Sequence, residues 1–96
     1  MRPSIALATH RAAVREIAHR HRVCDVRVFG SVVRGEDIDG SDLDLLVDPT
    51  EATTLMDIGA IRYELRSLLG IPVDVLTPKA LPDHFRAQIL AEAIPI

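Results

Sequence analysis

The segment Asp42–Asp48 (Asp-Leu-Asp-Leu-Leu-Val-Asp) alternates charged and apolar side chains, and this alternation constrains the fold more than any other feature of the chain. A period of two is typical of a strand with one buried face. Asp42 and Asp44 are therefore predicted to share the polar face, roughly 6–7 Å apart along the strand. The side chains predicted to enter the core from the other face are Leu43, Leu45 and Val47.

The remaining patterns predict a small α/β (α+β) fold. Two further β-branched segments are predicted strands, at Cys24–Phe29 and Ile71–Thr77. Apolar residues at spacings of three and four predict three helices, at Ser4–Arg22 with Ser4 as N-cap, Thr53–Leu69 and Pro82–Ala93. A turn of helix is predicted at Val32–Arg34. This order predicts a mixed three-stranded sheet with helices against one face, in a single domain spanning residues 1–96.

Composition favours an ordinary globular domain and excludes several other classes of protein. No run approaches the ~18 apolar residues of a membrane-spanning helix, and no segment resembles a signal peptide, so a cytoplasmic location is expected. Cys24 is the only cysteine, which excludes a disulfide or a cysteine-based zinc site, and its apolar surroundings predict a buried thiol. With three aromatic residues, the chain has too few for nucleic-acid binding by base stacking.

Charge is distributed unevenly along the chain, whose formal net charge is −3. Six arginines and two acids lie up to Arg27, whereas six acids fall between Glu36 and Asp48. The basic first helix is expected to present a solvated face, with contact to RNA or an acidic partner as the alternative, and no direct contact of the protein with nucleic acid is predicted. The acidic segment costs stability by self-repulsion unless a positive charge lies within it. It is therefore the segment where a cation site is expected.

Asp74, in the third predicted strand, is expected to join Asp42 and Asp44. It points away from the face of Val73 and Val75. If the two strands are neighbours, three ionised carboxylates at ~6 Å repel one another by about 2–3 kcal/mol per pair at an effective dielectric constant of ~20. Oxygen ligands without histidine or cysteine point to Mg²⁺ or Mn²⁺. A pair of such ions is what two-metal phosphoryl or nucleotidyl transfer requires.

The turn Gly30-Ser31, between a strand and a helical turn, is the candidate phosphate site. A glycine there lets the backbone approach an anion closely, and the serine hydroxyl and following amides can donate to phosphate oxygens. Arg34 lies a few residues further on and could add positive charge, although an ordinary exposed arginine explains it equally well.

Other interpretations fit these residues less well. Gly30 and Gly35 have the spacing of a Walker A loop, but Glu36 and Asp37 stand where that loop has lysine and serine or threonine. The segment from Asp37 begins like an EF-hand loop, but it lacks the glycine at the sixth position and the glutamate at the twelfth. A solvated acidic strand edge remains the alternative for the carboxylates.

The same residues resemble a known signature. Gly30-Ser31, ten intervening residues and then Asp42-Leu43-Asp44 is similar to the motif of the DNA polymerase β-like nucleotidyltransferase superfamily. In detail, the sequence from Phe29 to Val47 resembles the minimal nucleotidyltransferase (MNT) branch, whose proteins act as antitoxins of HEPN-type RNase toxins. The resemblance runs from about Val26 to Val75, and it implies a nucleotidyltransferase fold.

The resemblance also implies a role for each candidate residue. Asp42 and Asp44 would bind both metal ions, and Asp74 would complete the triad and favour deprotonation of the acceptor. Gly30-Ser31 would hold the triphosphate of ATP, with Arg34 assisting.

The function implied is Mg²⁺-dependent transfer of AMP from ATP to a hydroxyl, expected to be that of a tyrosine, on a cognate HEPN-type toxin in a heteromeric complex. Larger relatives carry an added domain that selects the acceptor, and no residues here could build one, so a partner protein is expected to bring it. Two alternatives stay open: an antitoxin that neutralises its toxin by binding alone, and nucleotidyl transfer to a small molecule. An intact triad beside the Gly30-Ser31 turn favours protein adenylylation, because a pure binder gains nothing from carboxylates that repel one another.

Overall fold

The computed structural model describes all residues of the chain, 1–96. The helices are α1 (Pro3–Arg20), α2 (Ser31–Arg34), α3 (Leu55–Leu69) and α4 (Asp83–Glu92). The strands are β1 (Val23–Phe29), β2 (Leu43–Pro49), β3 (Val73–Leu76) and β4 (Ile94–Pro95), and a 3₁₀ turn covers Pro78–Ala80. Apart from β4 and the 3₁₀ turn, the sequence predicts each element, with ends that differ by at most two residues. None of the helices combines the length and apolar character that a membrane crossing requires.

The strands form one mixed sheet in the order β3-β2-β1-β4. β2 runs parallel to β3 and antiparallel to β1, which also pairs with β4. The predicted α/β class is confirmed, but a fourth strand is added after the last helix, where the sequence predicts no strand. In that strand, Pro95 and Ile94 lie opposite Arg27 and Val28. Two residues are too few to show a strand period, so this pairing has no signal in the sequence.

The main core lies between one face of the sheet, α1 and α3. From β2 it receives the side chains that the alternation predicts, all fully buried: Leu43, Leu45 and Val47. From α3 it receives Ile61, Leu65 and Leu69 at spacings of four. Leu55 belongs to the same series of apolar residues in the sequence but is 89% exposed. At 3.6 residues per turn it lies about 120° around the helix from Ile61, so it cannot share that face.

Helix α4 covers part of the opposite face of the sheet. Phe29 and Leu46 point to this face and are buried with Leu81. Ile89 and Ala93, from α4 and the residue after it, pack against them. The prediction that the helices lie against one face is therefore wrong. Because Asp44 precedes Leu46 by two residues on β2, its side chain lies on the face that α4 partly covers.

The start of α1 is capped by a residue from a distant loop. Ser4 is not the N-cap, since Pro3 occupies the first helical turn and Arg2 precedes it. Instead the Ser4 amide donates to Asp37 Oδ2 at 2.8 Å, and Arg2 Nη2 approaches Asp37 Oδ1 at 3.4 Å. These contacts, with the hydrogen bond from the Ser4 amide as the largest cause, hold the pKa of Asp37 below its usual value. They tie the loop before β2 to α1.

Cys24 is exposed, so the prediction of a buried thiol is wrong. Its Sγ donates to the Asp48 carbonyl at 3.3 Å. The cause is an irregularity in the pairing of β1 with β2 between Val23 and Asp25. Such a bulge puts successive residues out of the strict alternation, so the buried face of β1 resumes only at Val26.

Candidate active site

The predicted carboxylates come together where β2 and β3 begin. Parallel pairing places Asp44 directly beside Asp74, and Asp42 immediately precedes β2. One carboxylate oxygen from each of these three side chains lies within 4.8 Å of the other two. The prediction needed the two strands to be neighbours, and the strand order meets that condition.

Asp44 has a strongly perturbed carboxyl group. Burial, followed by the charges of Asp74 and Asp42, raises its pKa from 3.8 to about 6. Arg34 lowers the pKa of Asp44 by a smaller amount. Near Asp74 the structure places Arg66, whose Nη2 lies 3.9 Å from Asp74 Oδ1. Because the pKa of Asp44 stays raised although these arginines are near, the protein compensates the negative charges of the cluster poorly. This favours a bound cation.

The chemistry of the cluster fits a hard divalent cation. Its donors are carboxylate oxygens, without an imidazole or thiol among them, and Mg²⁺ and Mn²⁺ prefer such ligands. Asp44 and Asp74 are partly buried whereas Asp42 is exposed. A cation held here would therefore remain open to solvent and to a substrate on the Asp42 side.

The Gly30-Ser31 turn lies against this cluster, because Phe29 at the end of β1 pairs with Asp44. Gly30 has φ 80° and ψ −149°, a conformation that other residues rarely adopt. A Cβ at this position would lie 2.4 Å from Asp44 Oδ2. Ser31 is the first residue of α2 and is partly exposed. The glycine is thus required by its backbone angles and by the approach of a carboxylate, in addition to the anion contact that the sequence suggests.

Arg34 lies beside the turn but is held by two carboxylates. Its Nε donates to Glu36 Oε1 at 2.7 Å, and its Nη1 lies 3.2 Å from Glu92 Oε1. Glu92 Oε1 also accepts from the Gly30 amide at 2.9 Å. Arg34 and the Gly30 amide are therefore arranged around one anionic group, the carboxylate of Glu92.

Glu92 is the residue that the sequence analysis missed. It lies in the last turn of α4, more than 60 residues after the Gly30-Ser31 turn, and its charge also raises the pKa of Asp44. The sequence does indicate that Glu92 faces the protein, because the spacing of Phe85, Ile89 and Glu92 puts them on one face of the helix. A carboxylate on an otherwise apolar face calls for a polar partner.

A cleft of about 320 Å³ lies between the turn and α4, and its lining includes both Gly30 and Glu92. Gly30, Arg34 and Asp44 contribute to one wall, and residues of α4 form the other. The six predicted site residues thus fall in one region: the triad, the turn and Arg34 surround the mouth of this cleft or lie next to it.

The sequence profile of the nucleotidyltransferase domain family matches residues 9–96. The chain belongs to this family. It is 35% identical to the protein adenylyltransferase MntA of Thermococcus cleftensis, over 92% of this chain and 86% of that protein.

Two solved structures resemble this nucleotidyltransferase domain. One, provisionally described as a minimal nucleotidyltransferase, is 44% identical, with a TM-score of 0.85 over 97% of this chain and 95% of the other. The second is a crystal structure of a toxin–antitoxin with AMP-PNP, with a TM-score of 0.74 and 16% identity. It is matched over 88% of this chain and 69% of that one, and at this identity it shows the fold alone.

The resemblance stated from the sequence is therefore confirmed, as is the prediction that the chain is a nucleotidyltransferase enzyme. The individual roles of Gly30, Ser31, Arg34 and the carboxylates stay predictions.

Proposed function

We propose that this domain transfers AMP from ATP to a hydroxyl group of a partner protein and thereby acts as an antitoxin. The acceptor is a tyrosine of a HEPN-type RNase toxin, with which the chain forms a heteromeric complex in the cytoplasm. The observation that carries the proposal is the convergence of Asp42, Asp44 and Asp74 beside the Gly30-Ser31 turn. The similarity to a protein adenylyltransferase and the shared fold of a toxin–antitoxin support it.

The carboxylates would hold two Mg²⁺ ions, which supply charge neutralisation for the triphosphate and lower the pKa of the acceptor hydroxyl. Asp42 and Asp44 would contribute ligands to both ions. Asp74, on β3, favours deprotonation of the acceptor hydroxyl and takes up its proton. The hydroxyl oxygen then bonds to the α-phosphorus, and the bond from that phosphorus to the bridging oxygen breaks, which releases pyrophosphate.

Ser31 and Arg34 would bind the leaving phosphates. The Ser31 hydroxyl and the amides of the turn donate hydrogen bonds, and the Arg34 guanidinium adds positive charge. For this the contact of Arg34 with Glu92 must loosen, since the phosphates would seek the donors that Glu92 occupies. Transfer requires that the partner protein present the acceptor hydroxyl within ~3–3.5 Å of the α-phosphorus.

The test is to incubate the protein with ATP, MgCl₂ and a cognate HEPN-type protein, and to measure intact masses. We expect one or more AMP increments on the partner. Asp42→Asn should abolish the transfer, and Ser31→Ala should weaken it. Asp48→Asn is the matched control, since Asp48 lies on β2 but pairs with Arg27 outside the cluster. Full activity of Asp42→Asn would refute the assignment.

Co-expression with the toxin separates catalysis from masking. The double variant Asp42→Asn/Asp44→Asn should still bind the partner, because most of a contact surface is left intact, yet fail to protect cells. Full protection by the double variant would leave an antitoxin that acts by binding alone. Transfer to a small molecule, with none to any protein, would instead establish a small-molecule nucleotidyltransferase.

A further inference from the structure

One face of α4 lines the cleft opposite the candidate active site. Phe85, Gln88, Ile89 and Glu92 follow the spacing i, i+3, i+4, i+7, and all four contribute to the cleft wall. Glu92 lies at the end near Gly30 and Arg34. The cleft therefore has a charged end at the turn and an uncharged end formed by the aromatic Phe85 and the amide Gln88.

Phe85 is 49% exposed, although it lies on the side of α4 that faces the protein. Single exposed apolar residues need no explanation in general. Phe85, however, is one of three aromatic residues in the chain, and it lies in the same cleft as Asp44. The imidazole of His84 lies beside it, with ring centroids 4.3 Å apart. Phe85 thus contributes a half-exposed aromatic ring to the wall of the cleft.

We propose that this end of the cleft binds the base of the nucleotide, with adenine stacked on Phe85 and its edge read by Gln88. The proposal rests on the proposed function and adds the subsite that this function leaves undefined. An aromatic ring stacks on any base, whereas a glutamine amide offers the donor and acceptor pair that matches the N6 and N7 edge of adenine. The cleft of about 320 Å³ lies at the small end of ligand pockets, which suits a base at its Phe85 end and phosphates at the end formed by Gly30 and Arg34.

The acceptor side chain is the other possible occupant, and the position of the cleft disfavours it. The cleft wall includes Asp44 but neither Asp42 nor Asp74. In the proposed reaction the acceptor approaches beside Asp74, so the cleft lies on the side of Asp44 away from it. The base, tethered through the ribose to the α-phosphate, can occupy that side.

The first experiment compares MgATP with magnesium tripolyphosphate, which carries the phosphates without the base, by calorimetric titration of the full chain. Phe85→Ala should weaken MgATP binding by about 5- to 20-fold and leave tripolyphosphate binding within about twofold. Tyr63→Ala is the matched control, since Tyr63 is an exposed aromatic on α3 outside the cleft. Gln88→Ala should reduce the preference for ATP over GTP.

The second experiment uses Phe85→Trp, because the chain has no tryptophan and the new indole would be the only one. Saturating MgATP should quench its fluorescence, and tripolyphosphate should not. Equal effects of Phe85→Ala on both ligands, or an unaffected MgATP affinity together with unquenched fluorescence, would overturn the base site while leaving the proposed function intact. Failure of the wild type to bind either ligand would overturn both.

Discussion

Replacing Asp44 by asparagine should stabilise the protein when no metal is present. Asp44 is the carboxylate whose pKa the fold raises to about 6, chiefly by burial and then by the charges of Asp74 and Asp42. A group that ionises less readily in the folded chain than in the unfolded chain destabilises the fold wherever it is charged. Asparagine has nearly the same shape and carries no charge, so the variant removes the cost without opening a cavity.

The magnitude follows from the pKa and the exposure of the group. A rise from 3.8 to about 6 corresponds to about 3 kcal/mol if the carboxylate were fully withdrawn from water, at about 1.4 kcal/mol per pKa unit. Because Asp44 is only partly buried, solvent screening reduces this figure. We expect a gain of about 1–1.5 kcal/mol at about pH 7.5, or a melting temperature higher by roughly 5–10 °C in a chain of this size.

The gain should depend on pH in a defined direction. Below about pH 4 the Asp44 carboxyl is protonated in both the folded and the unfolded chain, so the wild type loses nothing there. Between about pH 4 and 6 the unfolded chain releases this proton first, and the cost grows as the pH rises. Above about pH 6 the cost is fully present. The difference between variant and wild type should therefore vanish on acidification and reach a plateau near neutrality.

The assay is urea denaturation in EDTA at several pH values, repeated with MgATP. Asp25→Asn controls for the loss of one negative charge, since Asp25 is exposed on the neighbouring strand. MgATP should stabilise the wild type by mass action, whereas Asp44→Asn should lose most of that response. A variant less stable than the wild type in EDTA at neutral pH, or one with an unchanged response to MgATP, would show that Asp44 is not a strained metal ligand.

Three further predictions follow from single contacts. Glu92→Gln should bind MgATP about 3- to 10-fold more tightly in a calorimetric titration, because a negative charge on the Gly30 amide and beside Asp44 is removed; weaker binding would show that the Glu92 charge organises the turn instead. Gly30→Ala should cost about 1–3 kcal/mol of stability and abolish MgATP binding, since its Cβ would meet Asp44, whereas Gly35→Ala, at a similar positive φ with open space around it, should bind normally. Asp37→Asn should melt at a lower temperature near neutral pH, because the Ser4 amide and Arg2 hold the pKa of Asp37 below its usual value. The difference in melting temperature between variant and wild type should fade as the pH drops through that lowered pKa. A difference in melting temperature that does not depend on pH would contradict this explanation.

Local patterns account for the parts of the site that belong to a single strand or turn. The alternation that buries Leu43 and Leu45 also puts Asp42 and Asp44 on one face, and a strand offers no other arrangement of these side chains. The tight turn at Gly30 can likewise be predicted from the sequence, since few other residues adopt the backbone angles found there. These features depend on neighbours along the chain, so the sequence is sufficient to predict them.

Contacts between distant segments were decided by the tertiary structure. The register that sets Asp74 beside Asp44 depends on how β3 docks along β2, and a shift by one residue would send Asp74 to the core face. Asp37 caps α1 from 33 residues away, and Glu92 reaches Gly30 across 62 residues. For such pairs the sequence shows a charge that needs a partner but not which partner it meets.

The sequence by itself therefore determined the order of the elements up to α4 and the residues able to carry phosphoryl chemistry, because short-range sterics and alternation impose them. The family followed from the resemblance of the Gly30-Ser31 and Asp42-Leu43-Asp44 motif. Only the tertiary structure decided that α4 closes the Asp44 side of the site, with Phe85 at one end of a cleft and Glu92 at the other. The weak apolar pattern of α4 serves both packing and the cleft wall. The sheet against which α4 packs decides which residues of the helix are buried and which line the cleft. That surface exists only once the strands have paired.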